Sequence, residues 1–272
     1  MRPERANLPL RGSRAARDPR AREALIRTER LEKRYGRFQA LHPLDLHVRP
    51  GEIFGFIGPN GAGKTTTIRL IAGVLPPSSG RIWIDGVELL AEPEEARRRI
   101  GFIPDRPYLH EKLTGLEFLE FVGGIYGLER REGVRRARDL MAQYELDAFS
   151  DALVEGYSHG MKQRLVLCAT LLHEPRVLVV DEPMVGLDPR GARQVKDVFR
   201  NLGLEGRTVF LSTHSLDVAE EVCDRIAIIT HGRLVALGTV AELRAQAATG
   251  DADLEAVFLK IVGESHPGEA AR

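Results

Sequence analysis

Cysteine is nearly absent: Cys168 and Cys223 are the only two in 272 residues. Two thiols cannot build a disulfide framework or a four-thiolate zinc site, so the chain reads as suited to a reducing compartment. Net charge is missing too. Lys plus Arg is 39 and Asp plus Glu is 39, which removes the basic excess expected of a nucleic-acid-binding domain. No run of about 18 apolar residues occurs, so no transmembrane helix is expected. The best candidate, over 116–128, is interrupted by Glu117 and Glu120. No secretory leader is legible near the start. If the protein works at a membrane, another chain must supply the span. What is present is a 43% hydrophobic chain, enough for one large or two modest domains and too apolar for a disordered one.

Residues 1–26 differ in composition from the rest. Arg2, Arg5, Arg11, Arg14, Arg17, Arg20 and Arg22 face only Glu4, Asp18 and Glu23. Such a run reads as a disordered basic arm, or as a contact for acidic lipid headgroups. Beyond it, Leu44, Leu46 and Val48 alternate with polar residues, as in a half-buried strand. The run 53–57 is apolar without alternation, as in a strand covered on both faces. A glycine-rich loop at 58–63 follows, then a helix with Ile68, Leu70, Ile71 and Val74 that is expected to end at Pro76-Pro77. A strand at 81–84 and a hairpin turn at Asp85-Gly86 come next. Residues 107–150 carry helical periodicity through Leu113, Leu116, Leu119 and Val122. They are expected to form an inserted helical subdomain of about 107–158. Strands are then expected at 177–180, 208–211 and 226–229. A buried helix is expected over 160–172, and an amphipathic one through Val195, Val198, Phe199 and Leu202. The rhythm predicts an α/β fold with an open, mainly parallel sheet.

Gly58-Pro59-Asn60-Gly61-Ala62-Gly63-Lys64-Thr65 fits the phosphate-binding loop pattern and has its required context, an apolar strand before and a helix after. Glycines let the backbone curl so that amide hydrogens converge on an anion, and the helix adds its positive end. Lys64 can reach outer phosphates, the Thr65 hydroxyl suits magnesium, and Thr66 follows in the first helical turn. Val177-Leu178-Val179-Val180-Asp181-Glu182 is an apolar strand ending in two carboxylates. Strand geometry puts neighbours on opposite faces, so Asp181 is expected to face a magnesium ion and Glu182 an attacking water as general base. An acidic strand end capping a neighbouring helix is the simpler alternative.

Three more segments follow in order: Tyr157-Ser158-His159-Gly160-Met161, Gly186-Leu187-Asp188-Pro189 and Ser212-Thr213-His214-Ser215. With the two phosphate-site segments they resemble the ATP-binding-cassette ATPases over about 27–245. The resemblance implies a P-loop NTPase (RecA-like) core with an N-terminal antiparallel β subdomain and the inserted helical subdomain. It implies ATP and Mg2+ as ligands. Tyr157 to Met161 then matches the signature loop, in which Ser158 and Gly160 face the γ-phosphate held by a second cassette, whether an identical copy or a paralogue. Ser158 also suits a plain N-cap. Asp188 belongs by resemblance to the loop communicating between the two sites, and Asp before Pro189 is equally a good cap and first-turn pair. His214 matches the switch histidine that contacts the γ-phosphate. Tyr35 resembles the aromatic that stacks on adenine, or packs on its hairpin. Asp105 stands where the family usually has glutamine. A carboxylate can hold magnesium or water but cannot donate a hydrogen bond when ionised. His159 and Met161 also depart from the usual glycine and glutamine.

The resemblance implies the ATP-hydrolysing subunit of a transporter, with a separate integral membrane permease and export as the expected direction. It would work in the cytoplasm, peripheral on the inner face of the membrane. The segment 107–118 is the expected docking surface, through Tyr108 and Leu109, which ordinary core packing would explain nearly as well. The tail over 246–272, with a short helix through Leu254, Val257 and Phe258, resembles exporter-type cassettes or simply packs on its own domain. A soluble cassette acting on nucleic acid or the ribosome is the alternative. Such relatives carry two cassettes or a coiled-coil insertion, and no nucleic-acid partner is expected here. A small-molecule phosphotransferase would share the P-loop but leave the signature loop and His214 unexplained.

Overall fold

Two kinds of strand in the sequence build two sheets, as seen in a computed structural model that describes residues 24–184, 189–248 and 253–264. Residues 1–23 of the basic run, Asp188 and part of the tail lie outside the described residues. The alternating strands β1 (Ile26–Tyr35) and β2 (Phe38–Val48) pair antiparallel, and β1 pairs on its other edge with β4 (Ser79–Ile84). The small β5 (Val87–Glu88) completes a four-stranded sheet ordered β2-β1-β4-β5. Its hairpin turn is Asp85-Gly86, both in the left-handed region at φ 46° and 81°, as a type I′ turn demands.

The continuous apolar runs make the second sheet. β3 (Ile53–Ile57), β7 (Val177–Asp181) and β8 (Thr208–Thr213) are buried at every residue, because helices cover both of their faces. With β6 (Ile100–Ile103), β9 (Arg225–Thr230) and β10 (Arg233–Gly238) they run in the order β10-β9-β3-β8-β7-β6. Only β10 pairs antiparallel. The parallel register sets Ile57 beside Thr213, Asp181 beside Ser212 and Ile103 beside Val180. The carboxyl ends of β3, β8, β7 and β6 therefore deliver four loops to one edge, where open α/β sheets bind ligands. The fold class expected from the sequence is the one observed.

Helix α1 (Lys64–Ile71) follows β3, and α2 (Pro93–Arg98) precedes β6. Helix α1 stops well before Pro76-Pro77, where the sequence placed its end. Gly73 takes φ 69°, and the Val74 amide turns back to the Arg69 carbonyl at 3.0 Å, closing the helix by a left-handed cap. Helices α3 (Gly115–Ile125) and α4 (Arg130–Gln143) fill the segment expected to be helical. Thr114 and Glu117 close a capping box at the start of α3, a device contributing about 1 kcal/mol. Both helices pack on α5 (His159–Leu171), whose Leu165, Leu167, Cys168 and Leu171 share a core with Leu178 and Val180 of β7.

Helix α6 (Pro189–Leu204) lays Val198, Phe199 and Leu202 on the same core. Helices α7 (Leu216–Val222), α8 (Val240–Gln246) and α9 (Leu254–Glu264) follow. Leu254, Val257 and Ile261 of α9 pack with Ile226, Ile228 and Leu243, so the described part of the tail packs on its own domain. No helix among the described residues is long and apolar enough to cross a membrane.

Candidate active site

The loop after β3 holds its shape by close backbone approaches. A Cβ on Gly58 would stand 2.2 Å from the Ile229 carbonyl oxygen, and Gly63 takes φ 105°, a conformation that favours glycine. The Gly232 amide donates to the Ala62 carbonyl at 2.9 Å, and the His42 amide donates to the Gly232 carbonyl at 2.8 Å. The turn between β9 and β10 thus ties the loop to both sheets. Gly63 caps α1 without a side-chain hydrogen bond. Thr67 braces that start, its hydroxyl donating to the Gly63 carbonyl at 3.0 Å.

Lys64 is buried and folds back over the loop. Its Nζ donates to the Gly58 carbonyl at 2.8 Å and to the Pro59 carbonyl at 3.3 Å. Burial holds the ammonium below the ordinary lysine range, and the Glu182 and Asp181 carboxylates oppose that shift. The cation is therefore held by loop carbonyls, while the two carboxylates at the end of β7 favour its charged form.

Asp181 is the last residue of β7 and is buried. The Ser212 hydroxyl donates to its Oδ1. Strand alternation does not separate Asp181 from Glu182 as the sequence led one to expect. The chain leaves the strand at Glu182, which takes φ 52°, and the Glu182 amide donates to the Ser212 carbonyl at 3.0 Å. A left-handed residue after the strand breaks the alternation, so both carboxylates line the same cleft. Such a backbone costs about 1 kcal/mol or more for a side chain of this kind and needs surrounding structure to hold it. Part of that hold comes from His214: its Nδ1 lies 2.9 Å from Glu182 Oε2, and its amide donates to the same oxygen at 3.4 Å.

One cleft of about 670 Å3 gathers Asn60, Gly61, Gly63, Lys64, Thr65 and Thr66 with Tyr35, Asp105, Asp181, Glu182 and His214. Gly58, Pro59 and Ala62 form the loop behind it rather than its lining. Phe38 and Arg69 also line it, and sequence reasoning missed both. The signal for Phe38 was available, since a hairpin closing at Gly36 sets it opposite Tyr35. In the sequence Ser212 reads only as part of a motif, and its grip on Asp181 depends on the β7–β8 register.

Ser158 and Gly160 are not brought to that cleft. Ser158 caps α5, its Oγ accepting from the Met161 amide at 3.3 Å, and it is exposed. Both residues line a second cleft of about 520 Å3 between α5 and α6. Asp105, Asp181 and Glu182 border both clefts. Asp188 falls outside the described residues. Among the described residues no three His, Cys, Asp or Glu side chains cluster as a metal-binding group. Oxygen donors lining the cleft include the Thr65 hydroxyl and the Asp105 and Asp181 carboxylates, hard ligands of the kind magnesium takes alongside substrate phosphates.

Such a cleft can hold a polyanion on backbone amides and a buried ammonium, with Glu182 placed to take a proton from water. Comparisons with known proteins give the family. Residues 41–185 match the ABC transporter family. A relative 42% identical over 224 residues, covering 82% of this chain and 71% of its own length, is the daunorubicin resistance ATP-binding protein DrrA3 of Streptomyces coeruleorubidus. A solved ATP-binding subunit of an ABC transporter is 34% identical with a TM-score of 0.82, covering 88% of this chain and 99% of that one. The ATP-binding cassette MJ0796, solved as a dimer in a post-hydrolysis state with ADP and Pi, is 25% identical with a TM-score of 0.72, covering 79% and 98%.

Proposed function

The chain belongs to the ABC transporter family, and on that premise we propose that it is the ATP-binding and ATP-hydrolysing subunit of an exporter whose membrane-crossing part is a separate permease. The observation that carries this reading is the single cleft joining the P-loop to Asp181, Glu182 and His214. ATP is the nucleotide. The backbone amides within 60–66 and Lys64 grip its phosphates, with Gly58 and Pro59 shaping the loop, and Tyr35 stacks on its base. Thr65 and Asp181 hold Mg2+, with Asp105 as a further oxygen ligand. The ion, when bound, neutralises phosphate charge. Glu182 accepts the proton of the attacking water, and His214 keeps Glu182 aimed while touching the terminal phosphate.

Two cassettes complete the site. Ser158 and Gly160 stand apart from their own chain's nucleotide cleft at a capped helix start, Ser158 exposed and Gly160 partly so. In that position they suit the phosphate held by a second cassette, an identical copy or a paralogue. Asp188 would lie in the loop between the two sites. The dimeric form of the solved cassette supports this arrangement. The span 27–245 acts as the ATPase unit, with about 107–158 as its inserted helical subdomain.

The permease docks near 107–118, next to Asp105, and keeps the chain peripheral on the cytoplasmic face. Here the aromatic rings are open to a partner: Tyr108 is 81% exposed and meets the His110 ring edge-on at 5.2 Å. The drug-resistance relative favours export. Phosphate release from MgATP tests the reading, with Lys64→Ala as control. Wild type should hydrolyse ATP and Lys64→Ala should lose at least about 10²-fold in activity. Equal rates in the two would remove Lys64, and the cleft, from the reaction.

A further inference from the structure

Phe38 lines the nucleotide cleft, and none of the motifs gives it a role. Its ring is 65% exposed, so little of the fold depends on it. β1 and β2 pair Phe38 directly with Tyr35 across the turn at Gly36. Opposed residues of an antiparallel pair project from the same face with Cβ atoms about 5 Å apart. The two side chains therefore leave the same face of the hairpin, and both line the cleft that holds Lys64 and Thr65. Tyr35 is steadied from outside that cleft. The Lys33 ammonium lies 5.3 Å from its ring centroid and is itself fixed by donating to the Pro76 carbonyl at 2.7 Å.

We propose that Tyr35 and Phe38 together form the wall on which the nucleobase stacks, and that Phe38 makes this wall select purines over pyrimidines. A single ring is covered by either class of base. Two rings abreast reward a base long enough to overlap both, because stacking grows with overlapped area. A purine bicycle meets that length and a pyrimidine does not. Stacking reads the face of a base rather than its edge, so adenine and guanine are held alike. Phe38 is a specificity residue in this account and takes no part in the chemistry at the phosphates.

The inference rests on the cleft being an ATP site, and its test separates the two. Equilibrium binding of MgATP, MgGTP, MgUTP and magnesium tripolyphosphate would be measured on the full chain and on Phe38→Ala. The variant is expected to lose about 10-fold in affinity for MgATP and MgGTP, and to keep its affinity for MgUTP within about 2-fold and for tripolyphosphate unchanged. Undiminished MgATP binding would overturn the inference. So would an equal loss for all four ligands, which would make Phe38 a support of the P-loop. Failure of the wild-type chain to bind either MgATP or tripolyphosphate would instead overturn the reading of the cleft, and the inference with it.

Discussion

His214 holds Glu182 twice, its ring Nδ1 at 2.9 Å and its own amide at 3.4 Å from the same carboxylate oxygen. The pair joins the end of β7 to the end of β8, strands already locked by the Asp181–Ser212 register. Glu182 needs such a hold, since its backbone is left-handed at φ 52°.

His214→Ala removes the ring contact and leaves the amide. It should lower kcat by about 10²-fold, with little change in the KM for ATP. Steady-state phosphate release checks this. A rise in KM at constant kcat would make His214 a ground-state binding group instead.

Tyr108 and Leu109 look alike in the sequence as candidates for the permease contact, but the structure separates them. Leu109 packs against the core that includes α3 and α5, whereas Tyr108 points outward. Tyr108→Ser should leave the ATPase of the isolated subunit intact and weaken its stimulation by the permease. Leu109→Ser should cost about 1–3 kcal/mol of stability. Thermal melts and reconstituted ATPase assays distinguish the two. Full coupling in Tyr108→Ser would move the docking surface elsewhere.

Much of this was legible in the sequence because the signals are local. The P-loop reads from its glycines and its strand–helix context. Ser158 reads as an N-cap, and the apolar run before Asp181 reads as a strand buried on both faces. What escaped was set by tertiary contacts. The left-handed turn at Glu182 depends on the Ser212 carbonyl, and Lys64 is drawn back by two loop carbonyls. The early end of α1 was missed for another reason: a local signal, Gly73, was outweighed by the more conspicuous Pro76-Pro77. The capping boxes Thr114–Glu117 and Thr239–Glu242 were also readable as Thr-x-x-Glu.

His173 gives the fold an acid-sensitive joint. One ring nitrogen, Nε2, lies 3.0 Å from the Ile100 carbonyl, and Nδ1 is buried with no hydrogen-bond partner. The ring stacks on Tyr126 at 3.7 Å. Burial lowers its pKa, against a smaller opposing effect of the Ile100 hydrogen bond. Below about pH 6.5 the unfolded chain takes a proton here that the folded chain refuses. This contribution to stability is complete above that pH. It declines as pH falls, until the folded ring protonates in turn. Melting temperatures should drop between about pH 7 and about pH 5, and His173→Phe should flatten part of that drop. An unchanged slope would place the acid sensitivity in other groups.

The central claim is that one phosphate chain is gripped by the P-loop of one cassette and by Ser158 and Gly160 of another. Glu182→Gln tests it most directly, because it should retain MgATP binding while blocking turnover. Light scattering on this variant should show a monomer without nucleotide and a dimer with MgATP, and Ser158→Arg added to it should abolish the dimer. A strictly monomeric Glu182→Gln protein that has bound MgATP would contradict the account.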